Sequence, residues 1–328
     1  MPIDRRSFML TATATAAALT LPRWAQARAQ AADSILPWED LGGVWATSGD
    51  VPGGNVIAIP GEARTAVIDS KFAAFGRAIF EDARSLGTGD VVLINTHHHA
   101  DHTGGNLGFQ DADAVYGHEA ITPRVEAQID RLRQQARAAP RQAAALRSDR
   151  LIELAGRSAD RAAELDASDY VPGTTVADAG AEIDLGGVTA KLSHHGPGHT
   201  DNDLIIHVPE RNLVHMGDLV FNGLHSFFDQ SGGVDPRGWI KSCQAGLELC
   251  DADTTVIAGH GPRGGRAIIE AQIRYIENLF EAVEREMKAG TPKEELTQMR
   301  FDFFEGLGFE RIAPTGIAAV YDVLEAEQ

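Results

Sequence analysis

Four histidines and one aspartate occur within six residues, between His97 and His102. They directly follow the short apolar run Val91–Ile94, which is rich in β-branched residues and predicts a buried strand. Imidazole nitrogens and carboxylate oxygens are good ligands for zinc and related first-row metals. A loop with so many donors at the end of a strand therefore predicts a metal site.

The spacing of the donors indicates which side chains share a position. His97 and His99 lie two residues apart, so on an extended segment their rings point the same way while His98 points the other way. Asp101 and His102 follow after the chain has turned, where they can face a second position near the first. We therefore expect two adjacent metal positions, with His98 outside both.

Residues 97–102 resemble the HxHxDH signature of the metallo-β-lactamase-fold hydrolases. Three later motifs resemble the other ligand motifs of that family in the same chain order, and they are Gly198-His199-Thr200, Gly217-Asp218 and Gly259-His260-Gly261. The resemblance covers roughly residues 40 to 262. It is specific because the whole set occurs in order, whereas a single Gly-His-Thr or Gly-Asp would be weak.

The resemblance implies an α/β fold, the four-layer αββα sandwich of the metallo-β-lactamase fold, with the metal ligands at strand ends. It also implies two Zn²⁺ ions per chain, with iron or manganese left open. Asp101 and Asp218 are the implied catalytic carboxylates. The implied metal ligands are His97, His99 and His199 for one ion, Asp101, His102 and His260 for the other, and Asp218 as the bridge between them.

In such a site, two zinc ions about 3.5–4 Å apart share a hydroxide whose pKa falls toward ~7, and this hydroxide attacks a carbonyl carbon. The expected reaction is hydrolysis of an ester, thioester, lactone or β-lactam, and no Gly-x-Ser-x-Gly motif offers a serine nucleophile. His99 replaces the glutamate of flavodiiron proteins, and Asp218 occupies the region where the best-known β-lactamase subclass has a cysteine. The ligand set is therefore more similar to that of glyoxalase II.

Three alternatives stay open at this point. The first is a mononuclear iron oxygenase similar to the sulfur dioxygenases of this fold, and the second is a β-lactamase proper. The third is a non-catalytic metal-binding protein, which the seven donors disfavour because a structural zinc needs only four ligands.

Residues 1–31 resemble a twin-arginine export signal, with Arg5-Arg6 ahead of the apolar run 8–21. That run is too short and too polar to cross a bilayer of ~30 Å as a helix. We expect cleavage near residues 25–29, a periplasmic location and no stable membrane insertion after cleavage. An N-terminal anchor or a disordered tail is the alternative.

The composition indicates which kinds of molecule the protein is expected to bind. The chain has 328 residues, 43% of them hydrophobic, and a formal net charge of −18. We therefore expect one domain over residues 32–328 that acts on a small-molecule substrate and does not bind nucleic acid. Its oligomeric state is open. Cys243 and Cys250 lie seven residues apart on a probable helix, too far for a disulfide, and are expected to be free thiols.

Other segments are assigned to strands, helices and a substrate wall. Residues 120–168 predict a helical insertion broken near Pro140, which either covers the site or packs at the edge, and residues 265–328 predict C-terminal helices. His225 and Phe227 are candidates for a substrate wall, although core packing is an equal alternative for Phe227. His118 is interpreted as structural. The remaining predictions are strands at 44–46, 55–59, 65–69 and 114–116 and a helix at 72–86.

Overall fold

The computed structural model describes residues 34–87 and 89–328. A seven-stranded sheet, here the N-terminal sheet, has the strand order β1-β2-β3-β4-β5-β6-β7. Strands β4 to β7 run parallel, so their carboxyl ends meet at one edge. The strands are β1 Glu39–Asp40, β2 Trp45–Thr47, β3 Val56–Pro60, β4 Thr65–Ile68, β5 Val91–Ile94, β6 Ala114–His118 and β7 Thr174–Val176.

A five-stranded sheet, here the C-terminal sheet, has the order β12-β11-β10-β9-β8. Only β11 and β12 are parallel in it, and they therefore also end at the same edge. The β8–β9 hairpin turns at Gly186-Gly187, and both glycines have positive φ. The strands are β8 Ala181–Asp184, β9 Thr189–Ser193, β10 Ile205–Val208, β11 Leu213–His215 and β12 Thr255–Ile257.

Side chains alternate along each strand between the core that joins the two sheets and the core beneath the outer helices. On β3, Ile57 and Ile59 belong to the core between the two sheets, whereas Val56 and Ala58 face the outer helices. On β10, Ile206 faces the other sheet and Ile205 faces the helices on its own side. Each sheet is therefore covered on both faces.

Helices cover the outer face of each sheet. Helices α1 and α3 to α5 share a core with the N-terminal sheet, and α6, α7 and α9 share one with the C-terminal sheet. This arrangement confirms the predicted four-layer α/β fold. The helices are α1 Gly76–Leu86, α2 Ala100–Thr103, α3 Ile121–Ala127, α4 Ile129–Ala144, α5 Asp149–Arg161, α6 Pro236–Glu248, α7 Arg266–Lys288, α8 Lys293–Leu296 and α9 Ala313–Ala326.

The predicted break near Pro140 is wrong, because α4 continues through this residue to Ala144. One side of the helix, including Ala136 and Ala143, is fully buried, and this packing compensates for the backbone hydrogen bond that proline cannot make. The helix at 72–86 is also shorter than predicted. It begins at Gly76, after a turn in which Phe75 N–H donates to the carbonyl of Phe72.

Among the described residues, no helix is both long and apolar enough to cross a membrane. Cys243 and Cys250 are free, as expected. The predicted export signal lies outside the described residues, so its assignment stays a prediction.

Candidate metal centre

The two parallel strand groups bring the metal-ligating motifs to one edge of the sandwich. Strand β5 leads into the His97–His102 loop, and β11 and β12 lead side by side to Asp218 and His260. His199 lies in the connection between β9 and β10. The ligands thus come from both sheets and meet where the sheets face each other.

The first donor set consists of His97, His99, His199 and Asp218, with one donor atom from each within 4.8 Å of all the others. His99 Nδ1 lies 3.1 Å from His97 Nε2 and 3.0 Å from His199 Nε2. Ligands of a tetrahedral zinc with Zn–N bonds of about 2.0–2.1 Å are separated by roughly 3.3 Å. The nitrogens therefore stand close to the separation that one shared ion requires.

The second donor set consists of Asp101, His102 and His260. His260 Nε2 lies 3.1 Å from Asp101 Oδ2 and 3.4 Å from His102 Nε2. Asp218 reaches this set too, with Oδ1 3.2 Å from His102 Nε2 and Oδ2 3.4 Å from His260 Nε2. Its Oδ2 is also 3.6 Å from His199 Nε2 in the first set. Asp218 therefore lies between the two sets.

The protonation states differ between the two donor sets. Burial lowers the pKa of His97 far below its usual value and that of His199 to about 3, so both rings are neutral. Burial alone would raise the pKa of Asp218, but the charges of His260 and His102 hold it well below the usual range. Within the described residues, Asp218 Oδ1 is buried and accepts no hydrogen bond. In the first set, neutral imidazoles thus converge on an ionised carboxylate, which fits a divalent metal ion. In the second set, burial alone would lower the pKa values of His102 and His260, but Asp218 and Asp101 raise both, that of His260 to about 9, so a metal ion there must displace ring protons.

Two further carboxylates orient the ligands. Asp69 is fully buried, and its Oδ2 lies 2.7 Å from His102 Nδ1 while Thr96 N–H donates to Oδ1 at 2.8 Å. Asp229 Oδ2 lies 2.9 Å from His99 Nε2. Each carboxylate holds the proton on the nitrogen it faces and leaves the other nitrogen free to bind metal.

Neither carboxylate was assigned a role from the sequence. Asp69 directly follows β4, next to β5 in the parallel part of the sheet, and this adjacency is a signal that could have identified it. Asp229 ends the aromatic segment after Asp218, but nothing local indicates that it returns to His99.

His98 points away from both sets. Its Nδ1 lies 2.9 Å from the side-chain amide of Asn202, and its Nε2 lies 3.9 Å from Asp229 Oδ2. This placement agrees with the alternation expected for an extended loop.

A cavity of about 990 Å³ opens over the two donor sets. The loop between β2 and β3 contributes Val51 and Gly53 to its lining, and the segments near Phe227 and Phe309 contribute another side. The start of the helical segment contributes Arg124, Gln128 and Arg131. By contrast, α5 packs on α1 and on the turn before it, where Ser158 Oγ donates to the carbonyl of Ala73 at 3.3 Å. One end of the predicted insertion therefore lines the cavity and the rest packs against the core.

Comparison with known proteins identifies the family. The model of the metallo-beta-lactamase superfamily matches residues 49–260, about two-thirds of the chain. The chain belongs to this superfamily. A hydroxyacylglutathione hydrolase of Hyphomonas neptunium is 27% identical over 169 residues, which are 51% of this chain and 47% of the relative. The chain thus matches about half the length of that relative.

Solved structures show the same fold. A crystal structure of DIM-1 metallo-beta-lactamase exposed to ceftazidime aligns with a TM-score of 0.52 at 15% identity, covering 74% of this chain and 96% of the other. A metallo-beta-lactamase from Pontibacter korlensis aligns with a TM-score of 0.52 at 17% identity, covering 73% of this chain and 97% of the other. At these identities the likeness concerns the fold alone.

The structure thus brings together all seven residues that the superfamily resemblance implies as metal ligands. Of the two predicted wall residues, Phe227 lines the cavity, with its ring centroid 5.7 Å from that of His99. The prediction for His225 does not hold, because this side chain is 2% exposed and lies outside the cavity lining. Its Nδ1 lies 2.9 Å from the hydroxyl of Tyr275 and its ring packs on Phe304, both in the C-terminal helical part.

Proposed function

We propose that this protein is a dinuclear zinc hydrolase that cleaves the carbonyl bond of an ester, thioester, lactone or β-lactam. The observation that carries the proposal is the position of Asp218 between two donor sets, each of which offers three further ligands. A structural zinc site is closed by four ligands and does not need a second set. Two adjacent sets beneath an open cavity suit catalysis.

Divalent ions held in this way supply Lewis acidity, which polarises a carbonyl oxygen and lowers the pKa of water. The residues of the chain hold and orient these ions. His97, His99 and His199 form one side of the centre, and Asp101, His102 and His260 form the other. Asp69 and Asp229 accept from the outer ring nitrogens of His102 and His99, which aims the inner nitrogens at the centre. The cavity positions the substrate carbonyl against the centre.

The substrate class follows from the relatives as well as from the site. The matched curated relative is a hydroxyacylglutathione hydrolase, and the structural neighbours are metallo-beta-lactamases. Thioesters and esters are therefore the first substrates to test, and β-lactams the second. A mononuclear iron oxygenase leaves the donors Asp101, His102 and His260 without a role.

We also propose that the protein is exported in folded form to the periplasm. The support is the Arg5-Arg6 pair followed by an apolar run at the N-terminus. Cell fractionation tests this proposal. Replacing both arginines by lysine is expected to retain the protein in the cytoplasm, and unchanged export of the double variant would contradict it.

The decisive experiment combines elemental analysis with a hydrolysis screen on protein purified without added metal. About two zinc ions per chain, with turnover of a thioester or of nitrocefin, are expected. Asp218→Ala is expected to lose metal and at least about 10²-fold in turnover, since it removes the shared ligand. Asp113→Ala, an exposed carboxylate outside the cavity, is the matched control. One iron per chain and no hydrolysis would refute the proposal.

A further inference from the structure

The cavity contains one cationic side chain without a partner. Arg124 and Arg131 are the arginines in its lining. The guanidinium of Arg124 is held by the carboxylate of Asp201 and the carbonyl of Ser231. Arg131 is exposed and makes no ion pair or hydrogen bond with its side chain within the described residues. Its charge is therefore available to a molecule that enters the cavity.

The position of Arg131 relative to the metal centre is set by Gln128. Gln128 Nε2 donates a hydrogen bond of 2.7 Å to the carbonyl of His98, which fixes the start of α4 on the metal-binding loop. Arg131 follows in the first turn of α4, and both residues line the cavity. Arg131 thus enters the lining from the end of the helix that is bonded to the metal-binding loop.

Another part of the lining is aromatic, with Phe227 and Phe309. Phe309 is 49% exposed, the one large hydrophobic residue exposed to this degree in the described chain. Its φ of 61° lies in the left-handed region, which a phenylalanine rarely adopts. Backbone hydrogen bonds of the preceding Gly308 to Gly223 and His225 hold it there, with its ring 5.8 Å from that of His260. An exposed aromatic ring on a strained, anchored backbone suits contact with a ligand.

We propose that the substrate is a small carboxylate with an apolar group, in which Arg131 binds the carboxylate and the wall of Phe227 and Phe309 binds the apolar group. This inference rests on the proposed function, because it assigns the substrate class of the same site. The cavity volume of about 990 Å³ accommodates such a molecule. With a net charge of −18, the chain as a whole repels anions, and a local cation such as Arg131 offsets this repulsion within the cavity.

Calorimetry on the metal-loaded full chain tests the carboxylate part. The probes are 4-phenylbutyrate and its neutral analogue 4-phenylbutyramide. Wild type is expected to prefer the carboxylate, and Arg131→Gln to weaken carboxylate binding about three- to tenfold without affecting the amide. Arg137→Gln is the matched control, because Arg137 is exposed on the same helix, has no side-chain partner among the described residues and lies outside the cavity. Any direct binding of the carboxylate to the metal contributes equally in wild type and in both variants. It therefore does not affect the difference between their affinities.

The apolar part is tested with butyrate as a second carboxylate. Phe309→Ala is expected to weaken binding of 4-phenylbutyrate severalfold while leaving butyrate nearly unchanged, because only the longer molecule reaches the ring. Equal weakening of both carboxylates would contradict the assignment of Phe309.

The outcomes separate this inference from the proposed function. If carboxylate binding depends on Arg131 but the protein hydrolyses none of the substrates, the proposed reaction is refuted and the carboxylate site is supported. The opposite outcome is that the protein hydrolyses thioesters, but wild type, Arg131→Gln and Arg137→Gln show the same preference between carboxylate and neutral substrates. This result would refute the inference and leave the proposed reaction standing.

Discussion

At the scale of single residues, the metal centre depends on groups that do not face the metals. Asp69 holds the proton of His102 on Nδ1, and Asp229 holds that of His99 on Nε2. Both rings are thereby oriented with their other nitrogen toward the donor sets. Loss of such an orienting contact changes metal affinity without removing a ligand.

Asp69→Asn is expected to lower metal affinity about 10- to 100-fold. Thr96 N–H and His102 Nδ1 face different oxygens of Asp69, and asparagine has an NH₂ group in place of one of them, so it cannot accept from both. Competition against a chromophoric chelator measures the affinity. Asp82→Asn is the matched control, a buried carboxylate that accepts from the backbone of Ile35 and Leu36 away from the cavity. An equal loss in both variants would show that the effect is a general loss of stability.

Lys71 contributes a pH dependence of stability. Its ammonium is fully buried and donates to the carbonyls of Val51 and Gly54, and burial lowers its pKa to about 7. An unfolded lysine titrates near 10.4, so between these values the unfolded state binds a proton that the folded state has released. Stability therefore rises with pH across this window, by about 2 kcal/mol from pH 7 to pH 9.

Lys71→Met is expected to lose this part of the pH dependence, although it is less stable overall because two carbonyls lose their donor. Urea denaturation at pH 7 and pH 9 measures the difference. Lys241→Met, on the exposed face of α6, is expected to keep the wild-type gain. A gain of the same size in Lys71→Met would assign the pH dependence to other groups.

At the scale of elements, α4 shows how packing overrides local preference. Pro140 lies inside this helix, where it removes one backbone hydrogen bond. The buried stripe of Leu132, Ala136, Ala139 and Ala143 keeps the helix continuous. The helix in turn carries Arg131 at its start, so its continuity affects the cavity lining as well as the core.

Pro140→Ala is expected to raise the free energy of unfolding by about 1–2 kcal/mol, because it restores the hydrogen bond and improves helix propensity. Thermal and urea denaturation measure the change. Pro314→Ala is the comparison, since Pro314 lies in the first turn of α9, where no intrahelical bond is lost. A lower stability of Pro140→Ala would indicate that the helix requires the geometry that proline imposes.

At the scale of the whole molecule, the metal centre joins two halves that share little local sequence. His97, His99, Asp101 and His102 follow the N-terminal sheet, and the remaining ligands follow strands of the C-terminal sheet. The side chain of Asn55 adds a link, with hydrogen bonds of 2.9 and 2.8 Å to the carbonyls of Ala258 and Gly261. Metal binding should therefore stabilise both halves together.

Removal of metal by a chelator is expected to lower Tm by roughly 5–10 °C, which corresponds to the few kcal/mol that a tightly bound ion contributes. Hydrogen exchange should accelerate together in the four ligand loops, at residues 97–103, 199–203, 217–220 and 259–261. Helix α9 serves as the internal reference. Faster exchange in only one of the two halves would contradict a centre shared between them.

The sequence by itself predicted the donors at residues 97–102, their order and the strand that precedes them. These features are local, since the spacing of His97, His99 and Asp101 and the apolar strand before them depend on a few consecutive residues. The resemblance then predicted the remaining ligands, His199, Asp218 and His260, from motifs of two or three residues. The twin-arginine signal and the identity of the metal stay predictions.

Only the tertiary structure decided which side chains support the ligands and line the cavity. Asp69 lies 33 residues from the ring it orients, and Asp229 lies 130 residues from His99. Phe309 reaches the cavity from well beyond the last ligand motif, whereas His225, adjacent to a cavity residue in sequence, turns into the core. These contacts depend on how distant segments pack, because burial and hydrogen-bond geometry are properties of the assembled layers and not of any short stretch of chain.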